Sequence, residues 1–180
     1  KPEMMFNEKY PFFTGSSEFM KNNFKELSDY VKKYLKTSSN IIEIGSNDGT
    51  FLKNFNDKKQ NIIGFEPSKN VAEKAKENNI PKINNFFNKK NIKELPNNFK
   101  NTDLICASNV ICHVPDLNDL VESIDLLLSA NGTFIFEEPY LGSMFEKVSY
   151  DQIYDEHIFI FSAISIMKIF ERFDLHLVNV

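Results

Sequence analysis

The chain has 180 residues, enough for one domain with a sizeable core, and its 42% hydrophobic and 26% charged residues are the balance of a globular protein. A net charge of −4 with lysines scattered along the chain argues against a nucleic-acid partner, and no apolar run approaches the roughly 20 residues that a membrane helix needs. Two cysteines, Cys106 and Cys112, build neither a disulfide framework nor a CxxC metal pair, so no metal is expected and a reducing cytoplasm suits the chain. Residues 1–17 read as an irregular aromatic leader and residues 18–180 as one core domain. Ser16 or Ser17 can cap a helix over 18–35, where Phe19, Met20, Phe24, Leu27, Tyr30, Val31 and Tyr34 recur at helical spacing. A β-branched run at 40–44 predicts the first strand, and a helix starts over 50–55. A second strand at 61–66 leads to a helix at 67–78, then a short strand at 82–85. The fourth strand is expected at 103–108 and a strongly apolar helix at 117–128. A turn at Asn131-Gly132 precedes a fifth strand at 133–138, a helix at 162–173 and the start of a sixth strand at 175–180. Strands alternating with helices predict an α/β fold, a parallel sheet covered on both faces and doubly wound by right-handed crossovers. Ligands bind such sheets beyond the carboxyl ends of the strands, where the strand order switches.

The first candidate for chemistry lies there. Gly45-Ser46-Asn47-Asp48-Gly49 follows the first strand, and two glycines let the backbone turn sharply and approach a ligand closely. A dinucleotide site would want G-x-G-x-x-G to cradle a pyrophosphate, so a nicotinamide-dependent oxidoreductase is disfavoured. The amide of Asn47 and the carboxylate of Asp48 suit a cationic amino-acid ligand better. Glu66 ends the second strand about twenty residues on, where an acid can accept both hydroxyls of a ribose. Asn84-Asn85-Phe86 and Ser108-Asn109 end the third and fourth strands at the same edge, and Phe86 either stacks on a base or packs in the core. Three histidines occur: His113 and His157 fall at the ligand end, and His176 reads as structural or solvated.

Glu43-Ile44-Gly45-Ser46-Asn47-Asp48-Gly49, Gly64-Phe65-Glu66-Pro67-Ser68 and the stretch from Ser108 through His113 to Leu117 resemble class I methyltransferases that use S-adenosylmethionine. The leader Met5-Phe6-Asn7-Glu8-Lys9-Tyr10-Pro11-Phe12-Phe13, the stretch Phe136 to Leu141 and Asp151-Gln152-Ile153-Tyr154-Asp155-Glu156-His157 narrow the likeness to C-methyltransferases of nucleotide-linked deoxysugars. The resemblance implies a Rossmann-like sheet, with the cofactor held by Gly45, Ser46, Asn47, Asp48, Gly49, Glu66, Pro67, Asn85, Phe86, Ser108 and Asn109. It implies methylation beside the ketone of a 4-keto-sugar. Such a reaction needs a base for a carbon-bound proton, and imidazole titrates near working pH. By the same resemblance His157 is that base, Glu156 its supporting carboxylate, and Tyr154 and His113 line the sugar site; Tyr10 closes over the pocket. Asp155 stands where the family often has a histidine, which puts substrate preference or rate in question.

Members of that family are longer at both ends, with a cysteine-rich zinc segment before this core. The chain reaches Val180 within the expected sixth strand, without the antiparallel seventh strand that inserts between strands five and six. An open sheet edge there predicts a homodimer or strand exchange. Methylation of oxygen or nitrogen on another small molecule, and a cofactor-binding fragment without turnover of its own, are the alternative readings.

Overall fold

The apolar runs 40–44, 61–65 and 102–108 are short, β-branched and buried on both faces, which suits the inner strands of a parallel sheet. The computed structural model, which describes residues 1–55 and 59–180, places them there. Strands β1 (Asn40–Ile44), β2 (Asn61–Phe65), β3 (Lys82–Ile83), β4 (Thr102–Ser108) and β5 (Leu128–Glu137) form one sheet in the order β3-β2-β1-β4-β5. Every pairing is parallel, and Ile42 sits between Ile63 of β2 and Ile105 of β4. The chain winds outward from β1 to β3, then returns to the other side of β1, so the order switches between β1 and β4.

Alternation along β1 divides the core in two. Ile42 and Ile44 join Phe65, Ile105, Leu120, Ile124, Ile166 and Phe170 on one face. Ile41 joins Phe24, Val31, Phe51, Phe55, Ile62 and Leu104 on the other. The helices are α1 (Pro2–Met5), α2 (Glu18–Lys32), α3 (Lys69–Glu77), α4 (Leu117–Leu127), α5 (Leu141–Lys147) and α6 (Ala163–Phe170). Ser17 caps α2 by accepting the Met20 N–H, Asp116 caps α4, and Ser162 with Ser165 forms a reciprocal box at the start of α6. In α2 the buried stripe is Phe24, Ser28 and Val31, while Phe19 and Tyr30 are exposed, as is Tyr34 beyond the helix, which ends at Lys32 rather than at 35. Among the described residues no helix is long and apolar enough to cross a membrane.

The leader, expected to be irregular, opens with the single turn of α1, and four further expectations change. The helix expected from Thr50 is only a 3-10 turn, Leu52–Phe55, because the Asn54 amide donates to the carbonyls of Thr50 and Phe51 and competes with helical bonding; 56–58 lie outside the described residues. Asn131 and Gly132 lie within β5, where the path from Leu128 to Thr133 spans only Thr102 to Leu104 of β4, so the surplus residues form a bulge rather than a turn before the strand. Residues 175–180 form no strand: Asp174 takes a left-handed φ of 57°, Leu175 packs on the core, and Val178 and Val180 are exposed. Helix α5 was not expected, since only Met144 in it is buried and no apolar stripe marks it.

Candidate active site

The carboxyl edge of the sheet carries the turn after β1. Gly45 has a φ of 63°, and a Cβ built there would overlap a methyl group of Val110. Ser46 N–H and its hydroxyl both donate to the Phe65 carbonyl, at 2.9 and 3.0 Å, which welds the turn to β2. The Lys82 ammonium donates to the Ser46 hydroxyl and to its carbonyl. Asn47 is left-handed (φ 45°) and its N–H donates to Glu66 Oε2 at 2.9 Å, while Glu66 Oε1 accepts the Ser68 N–H at 2.8 Å. Burial pushes the Glu66 carboxyl up, against those two bonds.

Beneath the turn lies a charged cluster. Glu43 alternates onto the Ile41 face and is 5% exposed, and its Oε2 has no hydrogen-bond partner among the described residues. Burial pushes Glu43 up to about 8, opposed by the charge of Lys82. Burial likewise lowers Lys82 to about 8, opposed by Glu43, Glu66 and Asp48. An orphaned buried oxygen at a cavity wall is a place for a cationic ligand.

That cavity has a volume of about 700 Å³. Its walls include Gly45, Ser46 and Asn47 from the first turn, Glu66 and Pro67 after β2, Asn85 and Phe86 after β3, and Ser108 and Asn109 after β4. Asp48 and Gly49 do not line it. Gly49 (φ 81°) packs on Ile80, and Asp48 is buried and turned to the leader. Asp48 Oδ2 accepts the Gly15 N–H at 2.8 Å and Oδ1 accepts the Thr50 hydroxyl at 2.6 Å. Asn47 is shared: its side chain accepts the Thr14 N–H at 2.8 Å and donates to the Phe12 carbonyl at 3.1 Å. Asn70 donates to the Tyr10 carbonyl. The leader is thus laced across the mouth, and Phe6, Tyr10 and Phe12 form part of the wall. Burial and the nearby Glu156 raise the Tyr10 phenol.

The far wall carries Tyr154, Glu156, His157 and His113. His157 Nδ1 lies 2.8 Å from the Gln152 carbonyl, which can only accept, so Nδ1 carries the proton. The lone pair of the neutral ring then falls on Nε2, and the Tyr154 hydroxyl donates to it at 2.9 Å. The carbonyl of Gln152, not the carboxylate of Glu156, sets this tautomer. Glu156 acts on its neighbours instead: its carbonyl accepts His113 Nδ1–H at 2.7 Å, and its charge adds to burial in raising Tyr154. The two imidazoles are 5.1 Å apart, and Phe6 meets His113 edge-on. Asp155 is exposed and off the wall, and His176 is exposed beside Asp174.

Four contributors are not among the site residues that the sequence singles out. Glu138 accepts the N–H groups of Val110, Ile111 and Cys112 and so shapes the turn after β4. Lys82 reads as an ordinary surface lysine beside Pro81. Gln152 acts through a backbone atom. Phe87, not Phe86, is the core aromatic, edge-on to Phe65 at 5.1 Å. A partner for the buried Glu43 is the one thing a search for an internal cation could have supplied.

Comparison with known proteins bears on what this cavity serves. Residues 17–180 match a family model described as a methyltransferase domain. The chain is 24% identical over 182 residues to a C-methyltransferase, NovU, of Streptomyces niveus, covering 100% of this chain and 43% of that protein. It therefore spans less than half the length of that relative. A methyltransferase of Archaeoglobus fulgidus described as dependent on S-adenosylmethionine superposes with a TM-score of 0.66 at 18% identity, over 86% of this chain and 72% of that one. A phosphoethanolamine N-methyltransferase of Haemonchus contortus, solved with S-adenosylmethionine, gives a TM-score of 0.59 at 15% identity over 82% of this chain and 36% of that one.

Proposed function

Because the chain belongs to the methyltransferase-domain family, we propose that its cavity takes S-adenosylmethionine and a nucleotide-linked 4-keto-deoxysugar, methylated on the carbon beside the ketone. The residues present fit the cofactor. Gly45, left-handed and without the Cβ that would collide with Val110, lets the turn close tightly on the cavity edge, and Glu43 Oε2, without a hydrogen-bond partner among the described residues, suits an ammonium group. Glu66 keeps a lone pair on each oxygen for ribose hydroxyls, and Ser108, Asn109, Asn85 and Phe86 flank the remainder. When bound, S-adenosylmethionine supplies an electrophilic methyl group on a sulfonium.

One observation carries the choice of carbon over oxygen or nitrogen: an imidazole on the cavity wall, pinned with its lone pair on Nε2 and held by a phenol. Methylation of an alcohol or amine does not require a base for a carbon-bound proton; an enolate does. On this reading His157 Nε2 removes that proton, and the Gln152 carbonyl steadies the imidazolium through Nδ1–H. The Tyr154 hydroxyl, released from Nε2 as substrate enters, donates to the developing enolate oxygen. His113 and Glu156 line the sugar side, and Tyr10 covers it. A second copy pairs on the outer edge of β5. Light scattering showing only monomer at micromolar protein would remove that last element.

The test is solvent-deuterium exchange into a keto-sugar nucleotide. The wild type exchanges the proton beside the ketone, whereas His157→Ala loses exchange and turnover by about 10²–10⁴-fold and keeps its affinity for S-adenosylmethionine. Turnover without exchange would move the assignment to oxygen or nitrogen methylation, and exchange surviving in His157→Ala would take the role of base away from His157.

A further inference from the structure

The wall that holds His157 carries a second arrangement. Cys112 Sγ and one ring nitrogen from each of His113 and His157 lie within 4.8 Å of one another. Cys112 is wholly buried behind the wall, while both histidines face the cavity. Each histidine donates its Nδ1–H to a backbone carbonyl, His113 to Glu156 and His157 to Gln152. That fixes both rings in the tautomer with a lone pair on Nε2. It is also the outer-sphere bonding that metal-ligating histidines carry, with a carbonyl orienting each ring.

We propose that Cys112, His113 and His157 form a site for a zinc-type divalent transition ion, with the fourth position open to the cavity. One thiolate and two imidazoles are a donor set that borderline-soft ions prefer over magnesium or calcium. Three protein ligands with one open position distinguish it from a closed structural site. Bonds of about 2.0–2.3 Å in a tetrahedron put ligand atoms roughly 3.5 Å apart, so the three must close in by about 1 Å or a little more. Cys112 releases its thiol proton to solvent as the sulfur–metal bond forms, and the Tyr154 hydroxyl gives up His157 Nε2. With its lone pair committed to the ion, His157 no longer takes a proton, so the ion and the proposed reaction exclude one another. This consequence rests on His157 being the base; the site itself does not.

Cobalt(II) is the probe for the site, and zinc for its effect. Titrating the whole chain with cobalt(II) is expected to give a thiolate-to-cobalt charge-transfer band that saturates at one equivalent and is erased by zinc. Cys112→Ser loses the band and binds cobalt at least tenfold more weakly, with Cys112→Ala as the second variant should a buried hydroxyl unsettle the core. Cys106, on the opposite face, stays in both variants and controls for adventitious thiol binding. No band in the wild type, or an unchanged band in both variants, overturns the site. Zinc at saturation abolishes deuterium exchange in the wild type and spares it in Cys112→Ser. Full exchange with zinc bound overturns the exclusion. Absence of exchange in the metal-free wild type counts against the function proposed above, and the cobalt band still judges the site.

Discussion

Gly45 shows how one residue limits the turn after β1. Its φ of 63° is a conformation L side chains rarely adopt, and Val110 already fills the Cβ position. Gly45→Ala is expected to cost about 1–3 kcal/mol of stability and to weaken S-adenosylmethionine binding at least tenfold by calorimetry. A variant with unchanged affinity would mean that the cradle is not where the cofactor lies. Glu43 allows a test by pH. Its carboxyl rises from an ordinary 4.5 to about 8 in the fold, so the folded protein holds a proton that the unfolded chain releases. Its contribution is present below about 4.5 and is lost as pH rises through about 8. Lys82, lowered to about 8, acts with the opposite slope from about 8 up to its ordinary 10.5. Glu43→Gln should flatten the fall in urea stability between pH 5 and 8; an unaltered slope would show that Glu43 is charged throughout. The Gly45 turn was legible because its glycines answer to local backbone demands. The partner of His157 was not, because the Gln152 carbonyl is a backbone atom that any residue supplies.

At the scale of elements, the leader and the turn after β1 hold one another. Asp48 was expected to face the cofactor because carboxylates suit cationic ligands. Instead it is buried against Gly15 and Thr50, and Asn47 ties down Phe12 and Thr14. The reason is backbone accounting: leader groups crossing the mouth need partners, and these side chains are in reach. Asp48→Ala strips the Gly15 N–H and Thr50 hydroxyl of a charged acceptor, a loss of about 1–3 kcal/mol concentrated on leader docking. Limited proteolysis should then cut within the first 17 residues several-fold faster, with the core fragment intact. Equal cutting rates would show that the leader is held by Phe6 and Tyr10 packing instead. Strands β1, β2 and β4 were legible to within a residue, because inner parallel strands are continuous apolar runs. The bulge in β5 and the irregular 175–180 depend on a neighbouring strand and on the turn at Asp174, and neither acts through local pattern.

For the whole molecule, the decisive fact is that the cavity is built from distant parts of the chain. The leader, the ends of β1, β2 and β4, and the segment from Gln152 to His157 all contribute wall, and the switch of strand order between β1 and β4 brings them to one edge. Alternating strands and helices announced that edge from the sequence. The lacing of the leader across it depends on side-chain bonds spanning 33 to 60 residues, which no local pattern reports. A ligand that touches all these parts stabilises the fold as one unit. At about 100 times its dissociation constant, S-adenosylmethionine should add about 2.7 kcal/mol. For a domain of this size that is a rise in Tm of roughly 5–11 °C. At the same concentration Gly45→Ala, binding at least tenfold more weakly, should lose about half of that rise or more, because it strikes the turn after β1, whereas His157→Ala should keep it, because it strikes the far wall. A rise of equal size in both variants would place the cofactor away from the β1 turn, and no rise in the wild type would take it out of the cavity altogether.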